Sequence, residues 1–183
     1  MTTLVIHPED RTTDFLRPIY SRLPNTTVLS SGGYMPEEIN ALIDAHERVI
    51  MLGHGWGGGL LCRQFITHSE YIIDVSNVKT LSKKDNSIFI WCFADRFVKQ
   101  YNLKGLSTGM FISEIDEADL NGVEATWDDI HASNDLFSRL LGEALLKCEG
   151  VSEAFDYVKA SYVSSGHDNL VQRYNAQRWY CFQ

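Results

Sequence analysis

Two residues have the types and placement for nucleophilic chemistry. His54 sits in Gly53-His54-Gly55-Trp56-Gly57-Gly58-Gly59, directly after the apolar run Val49-Ile50-Met51-Leu52. Cys92 follows a second apolar run, Ile88-Phe89-Ile90-Trp91. A cysteine nucleophile needs a base that takes its proton or holds it as thiolate, and an imidazole does both. Gly55 has no side chain to block its N–H, so it can face a developing oxyanion beside the N–H of Cys92. One such donor is worth about 10²–10³ in rate in other hydrolases.

Each residue alone has a plainer reading. Cys92 at a strand end serves as a small core residue, and His54 in a glycine loop as a turn residue. Their joint placement, after the two most apolar runs of the chain, favours the pair. The other thiols offer less: Cys62 reads as a core residue in a helix after the glycine loop. Cys148 lies on an amphipathic stripe, and Cys181 is near the terminus. Cys62 and His68 are six apart, and His54 and Cys92 match no standard zinc spacing, so no metal is expected. Asp95 reads as a helix cap, with substrate binding as its other use. Trp56 either walls a substrate groove or packs.

The elements that must position the pair alternate between strand and helix. Strands are expected at Leu4–Ile6, Thr26–Leu29, Val49–Leu52, Ile88–Trp91 and Ser107–Ser113. The runs at 49–52 and 88–91 are apolar at every position, as strands buried on both faces of a parallel sheet are. Helices are expected over Thr13–Leu23, kinked at Pro18, and from Pro36, with Ile39, Leu42, Ile43 and His46 on one stripe. A short helix spans Asp95–Leu103. Two more carry the stripes Phe137–Cys148, closed by Gly150, and Val151–Tyr162. The tail from Asn169 reads as a helix and then an edge strand. Such alternation predicts a parallel sheet covered on both sides, with ligands at the carboxyl ends of the strands. Neighbouring strands lie about 4.8 Å apart. His54 and Cys92 share a crevice if their strands are neighbours.

A hydrophobic block ending in His-Gly, followed 38 residues later by a hydrophobic block ending in Cys, resembles the caspase-like cysteine peptidases: caspases, legumains, gingipains, separases and CHAT domains. The helix pair around Asn134–Lys147 and Val151–Phe155 is similar to the C-terminal pair of CHAT domains. The resemblance implies one three-layer α/β sandwich over residues 1–183. It implies His54 as base, Cys92 as nucleophile, Gly55 and Cys92 N–H as oxyanion donors, a peptide or protein substrate and no cofactor. It also implies a specificity pocket after the fifth strand. There Glu114, Asp116, Glu117 and Asp119 are either a solvated acidic loop or acids that select Arg or Lys by a charge-assisted bond, a part Asp95 can also play. An inactive relative that binds a peptide or regulatory partner in the same crevice is the alternative.

The glycine stretch supports a rival resemblance. Gly53-His54-Gly55-Trp56-Gly57-Gly58 is similar to the nucleophile elbow of α/β-hydrolases, with Gly55 where serine belongs. That resemblance implies an inactive domain; His68, His131 and His167 are the histidines that follow the stretch.

Composition narrows the classes. The 183 residues are 44% hydrophobic and 22% charged, which excludes a mostly disordered chain, a collagen and a coiled coil. The net charge of −8 and the lack of a basic run argue against nucleic acid as main partner. No apolar run approaches the roughly 20 residues of a membrane span. The start lacks the pattern of a secretory signal, and four scattered cysteines without a CxxC pair suit a reducing compartment, so a cytoplasmic location is expected.

Overall fold

The computed structural model describes residues 1–62, 71–164 and 169–183. In chain order it runs β1 (Thr3–Ile6), a 3-10 segment (Arg11–Ile19), β2 (Thr26–Leu29), α1 (Pro36–Ala45), β3 (Arg48–Leu52), β4 (Gly55–Trp56) and β5 (Gly59–Leu61). There follow β6 (Tyr71–Ile73), a second 3-10 turn (Val75–Asn77), α2 (Val78–Leu81), β7 (Ser87–Ile90), α3 (Ala94–Gln100), β8 (Gly105–Thr108) and α4 (Ile115–Leu120). The chain closes with α5 (Trp127–Lys147), α6 (Val151–Ser164), α7 (Leu170–Ala176) and β9 (Trp179–Phe182).

Six strands form one sheet in the order β2-β1-β3-β7-β8-β9. Five are parallel; β9 joins the β8 edge antiparallel. The apolar runs alternate sides, as the pleat requires. Val5, Ile50, Leu52, Ile88 and Ile90 face a core closed by the first 3-10 segment, α5 and α6. Leu4, Ile6, Val49, Met51 and Phe89 face a second core closed by α1 and α3. The molecule is therefore a three-layer α/β sandwich, and the runs at 49–52 and 88–90 are buried on both faces, as their composition predicts.

Several boundaries differ from the sequence reading. The expected helix over Thr13–Leu23 is a 3-10 segment that starts at the Asp10 cap and contains Pro18, which has no N–H to donate. The strand expected over Ser107–Ser113 stops at Thr108, because the segment beyond it turns toward α4. The acidic run is thus a helix rather than a loop. The hairpin β4-β5 follows His54 where a helix was expected, and Cys62 comes directly after strand β5 instead of lying four residues into a helix. Among the described residues no helix is long and apolar enough to cross a membrane.

His7, just past β1, is buried between Tyr20 Oη, 3.0 Å from Nδ1, and Thr13 Oγ1, 3.1 Å from Nε2. Burial first, and then the Arg17 charge, lowers its pKa from 6.5 to about 4. The unfolded chain takes up this proton between pH 6.5 and 4 and the folded chain does not, so His7 makes stability fall as pH drops through that window. The full effect is of order 3 kcal/mol. Thermal melts at pH 7 and 4.5 should show a smaller loss for His7→Asn than for the unchanged protein.

Candidate active site

The two chemistry-bearing loops meet at the carboxyl edge of the sheet. β3 and β7 are neighbours, with Leu52 opposite Ile90. The next residue, Gly53, donates its N–H to the Ile90 carbonyl at 3.0 Å. Gly53 has φ 141°, a backbone conformation open to glycine, and it turns the chain out of the sheet at His54. The hairpin then folds over Trp91. A Cβ at Gly55 would lie 2.3 Å from Trp91 Cδ1 and 2.6 Å from the Gly59 carbonyl oxygen, so this position has no room for a side chain. Trp91 Nε1 donates to the Trp56 carbonyl at 3.0 Å and ties hairpin to strand end.

Cys92 stands on a sharp strand-to-helix turn. Thr108 Oγ1 donates to the Trp91 carbonyl at 2.9 Å, and Phe93 N–H donates to the Gly109 carbonyl at 3.1 Å. Phe93 is left-handed, φ 62° and ψ 28°, a conformation that costs a non-glycine residue roughly 1–3 kcal/mol. The turn presents Cys92 above α3. Among the described residues, the Cys92 N–H donates to no backbone carbonyl. This strand–turn–helix lies after β7, whereas the glycine stretch forms a hairpin. The elbow reading of Gly53–Gly58 is therefore corrected: an elbow needs a helix after its turn, and β5 takes that place.

His54 and Cys92 line one cavity of about 30 Å³, with Gly53, Phe111, Ser113 and Phe137. That is the space of a single water molecule. The half-buried thiol does not meet the imidazole as its hydrogen-bond partner. Cys92 Sγ lies 3.7 Å from Glu117 Oε1 and 3.9 Å from the Phe111 carbonyl oxygen. Burial, and then the Glu117 carboxylate, pushes the thiol from 9 up to about 12.

The imidazole is oriented from the other side. Asp10 Oδ1 caps the 3-10 segment, accepting from Thr12 N at 3.1 Å and from Thr12 Oγ1 at 2.9 Å. Thr12 Oγ1 lies 2.7 Å from His54 Nε2. A hydroxyl has one proton. Since Thr12 gives its proton to Asp10, it accepts from Nε2–H, which leaves the basic lone pair of His54 on Nδ1. Asp10 Oδ2, 3.9 Å from Nε2, places negative charge where an imidazolium would form.

Trp56, Asp95, Glu114 and Asp116 do not line this cavity. Trp56, 55% exposed, packs against Phe93 at 4.4 Å between centroids. Asp95 is not the cap of α3; Phe93 holds that position, and Asp95 pairs with Lys99 at 3.7 Å. Glu114 is the N-cap residue of α4 and Asp116 is exposed in its first turn. The acid that reaches the thiol is Glu117, which the sequence marks only as one member of the acidic run. His68 and His167 lie outside the described residues. Among the described residues no group of three or more His, Cys, Asp or Glu could hold a metal ion.

The sequence matches no family model. A search of the curated proteins finds no similar protein either. The site therefore rests on its own geometry.

Asp10, Thr12 and Ser113 escape the sequence reading. Asp10-x-Thr12 carries a usable signal, a helix cap directly after the first strand, at the same sheet edge as His54 and Cys92. Thr12→Val removes the hydroxyl that orients the ring. A hydrogen bond to a charged group is worth about 1.5–3 kcal/mol, so the reaction of Cys92 with a peptide electrophile should slow by about 10–100-fold. Thermal stability should hardly change, because Thr12 is exposed. Nitrogen NMR of the ring should show the loss of the Nε2–H preference.

Proposed function

We propose that the protein is a caspase-like thiol hydrolase of peptide bonds, with Cys92 as nucleophile and His54 as base. The observation that carries this reading is the adjacency of β3 and β7, which brings an oriented imidazole and a thiol on a strained turn into one cavity. Entry of a peptide turns Cys92 Sγ, by rotation about one side-chain bond, from Glu117 toward Nδ1 of His54. The imidazole takes the thiol proton and the sulfur attacks the peptide carbonyl carbon. The oxyanion accepts hydrogen bonds from the N–H groups of Cys92 and Gly55. Collapse breaks the C–N bond, and the imidazolium gives its proton to the leaving amine. Water, deprotonated by His54, then cleaves the thioester and frees the thiol. This chemistry needs no cofactor.

Trp56, Asp95, Glu114 and Asp116 flank the path of a bound peptide in this reading and are its candidate specificity residues. A second reading has one observation in its favour: a thiol held near 12 is a poor nucleophile, which suits a domain that binds a peptide or a partner protein without cutting it.

Incubation of the full chain with a mixed peptide library, followed by mass spectrometry, separates the two. The hydrolase produces new termini after a restricted set of residues, and Cys92→Ala produces none. Peptide binding without new termini supports the binding module.

A further inference from the structure

Glu117 is held more firmly than an exposed acid in a first helical turn would be. Its Oε2 accepts three hydrogen bonds, from Ser113 N at 2.7 Å, Ser113 Oγ at 3.0 Å and Glu114 N at 3.1 Å. The strap from Phe111 to Ser113 is itself pinned by two buried amides. Asn175 of α7 bonds Ile112 through both its N–H and its carbonyl, at 2.8 Å each, and Asn134 of α5 donates to the Ser113 carbonyl at 3.0 Å. With Oε2 so occupied, Oε1 is the oxygen that points at Cys92 Sγ, 3.7 Å away. A thiolate beside this carboxylate would set two negative charges against each other.

We propose that Glu117 is a positioning residue that holds Cys92 protonated, and that its anchored carboxylate is the latch which a bound peptide must release before His54 can act. The inference rests on Cys92 being the nucleophile of the site. The groups around the sulfur agree with it. Glu117 and Glu114 come from α4 and its cap, and both push the thiol up. His54, from the loop after β3, shares the cavity but gives its Nε2–H to Thr12. Asp95 of α3 is paired with Lys99, and Arg96 of the same helix stacks its guanidinium on Phe93, 4.0 Å from the ring centroid. From α5 and α7 the strap is met by the neutral side chains of Asn134 and Asn175, which bring no positive charge to offset Glu117.

The test is the pH profile of Cys92 alkylation by iodoacetamide in the full chain, followed by peptide mapping. Glu117→Gln keeps an oxygen for Ser113 and removes the charge. Its profile should move to lower pH by about one unit or more. Each unit raises the thiolate fraction about tenfold and lowers its nucleophilicity in part, for a net gain of roughly three- to fourfold at pH 8. An unchanged profile overturns the proposal. So does a faster reaction whose profile, followed upward until the rate levels off, levels off at the same pH as in the unaltered protein, which would mean only that the cavity had opened. A measurement on the unaltered protein needs no Glu117 variant: the S–H stretching band, isolated by subtracting the spectrum of Cys92→Ser. A band lowered by a hydrogen bond to a carboxylate supports the latch, and a band like that of the other thiols contradicts it. Peptide cleavage with an unmoved profile removes the latch and leaves the hydrolase. A moved profile in a protein that cleaves no peptide leaves Glu117 as the group that holds the thiol protonated and removes the hydrolase.

Discussion

Replacing His54 with Ala should lower the rate of peptide cleavage by about 10²–10⁴-fold, the usual contribution of a positioned general base. The loss should fall on kcat and on kcat/KM alike, because the imidazole acts in the transition state and not in holding the peptide. Folding should be unaffected: the His54 side chain is 38% exposed, and its bond is to an exposed threonine on the surface. Steady-state kinetics of the two proteins side by side, on a peptide that the unaltered protein cleaves, check both constants. An unchanged rate would leave the imidazole without a role.

Phe137→Ala should cost about 3–5 kcal/mol of stability, the range for a buried aromatic cut back to a methyl group. Phe137 is fully buried on α5, with ring centroids 4.6 Å from Phe111 and 4.7 Å from Trp179. It therefore joins the long helix to the strap that carries Ser113 and to the edge strand β9. The midpoint of thermal unfolding should fall by roughly 6–20 °C in a chain of this size. The same ring lines the small cavity beside Cys92, so the truncation also enlarges the space around the sulfur. Alkylation of Cys92 by a small reagent should quicken even at temperatures where the variant stays folded. Calorimetry together with alkylation rates tests the two halves of this expectation. A loss below about 1 kcal/mol would mean that the neighbouring side chains close the gap on their own.

The sheet is legible in the sequence because burial on both faces leaves a continuous apolar run, and β3 and β7 carry such runs. The neighbourhood of those two strands is what the sequence could frame only as a condition, since strand order depends on which crossovers form. Helices with clear stripes, such as those on α5 and α6, were readable for the same reason of periodicity. The hairpin after His54 was not. Glycines at Gly55 and Gly59 signal a turn, yet their requirement comes from Trp91 and from the Ile73 carbonyl, partners distant in the chain. At the site, His54 and Cys92 announce themselves because each ends an apolar run. Thr12 and Glu117 do not, because an exposed threonine near a helix cap and one acid among four have many ordinary uses. Their roles arise from distances across 42 and 25 residues of chain that no local pattern encodes.

The claim at the centre of this account is that Cys92, alone among the four thiols, is a nucleophile served by His54. Its most direct measurement is to treat the full chain with a peptide bearing a thiol-directed electrophile and to map the adduct by mass spectrometry. The account predicts a single adduct on Cys92, slowed strongly by His54→Ala and absent from Cys92→Ala, with Cys62, Cys148 and Cys181 unmodified over the same time. Slow and equal modification of all four cysteines, indifferent to His54, would contradict it.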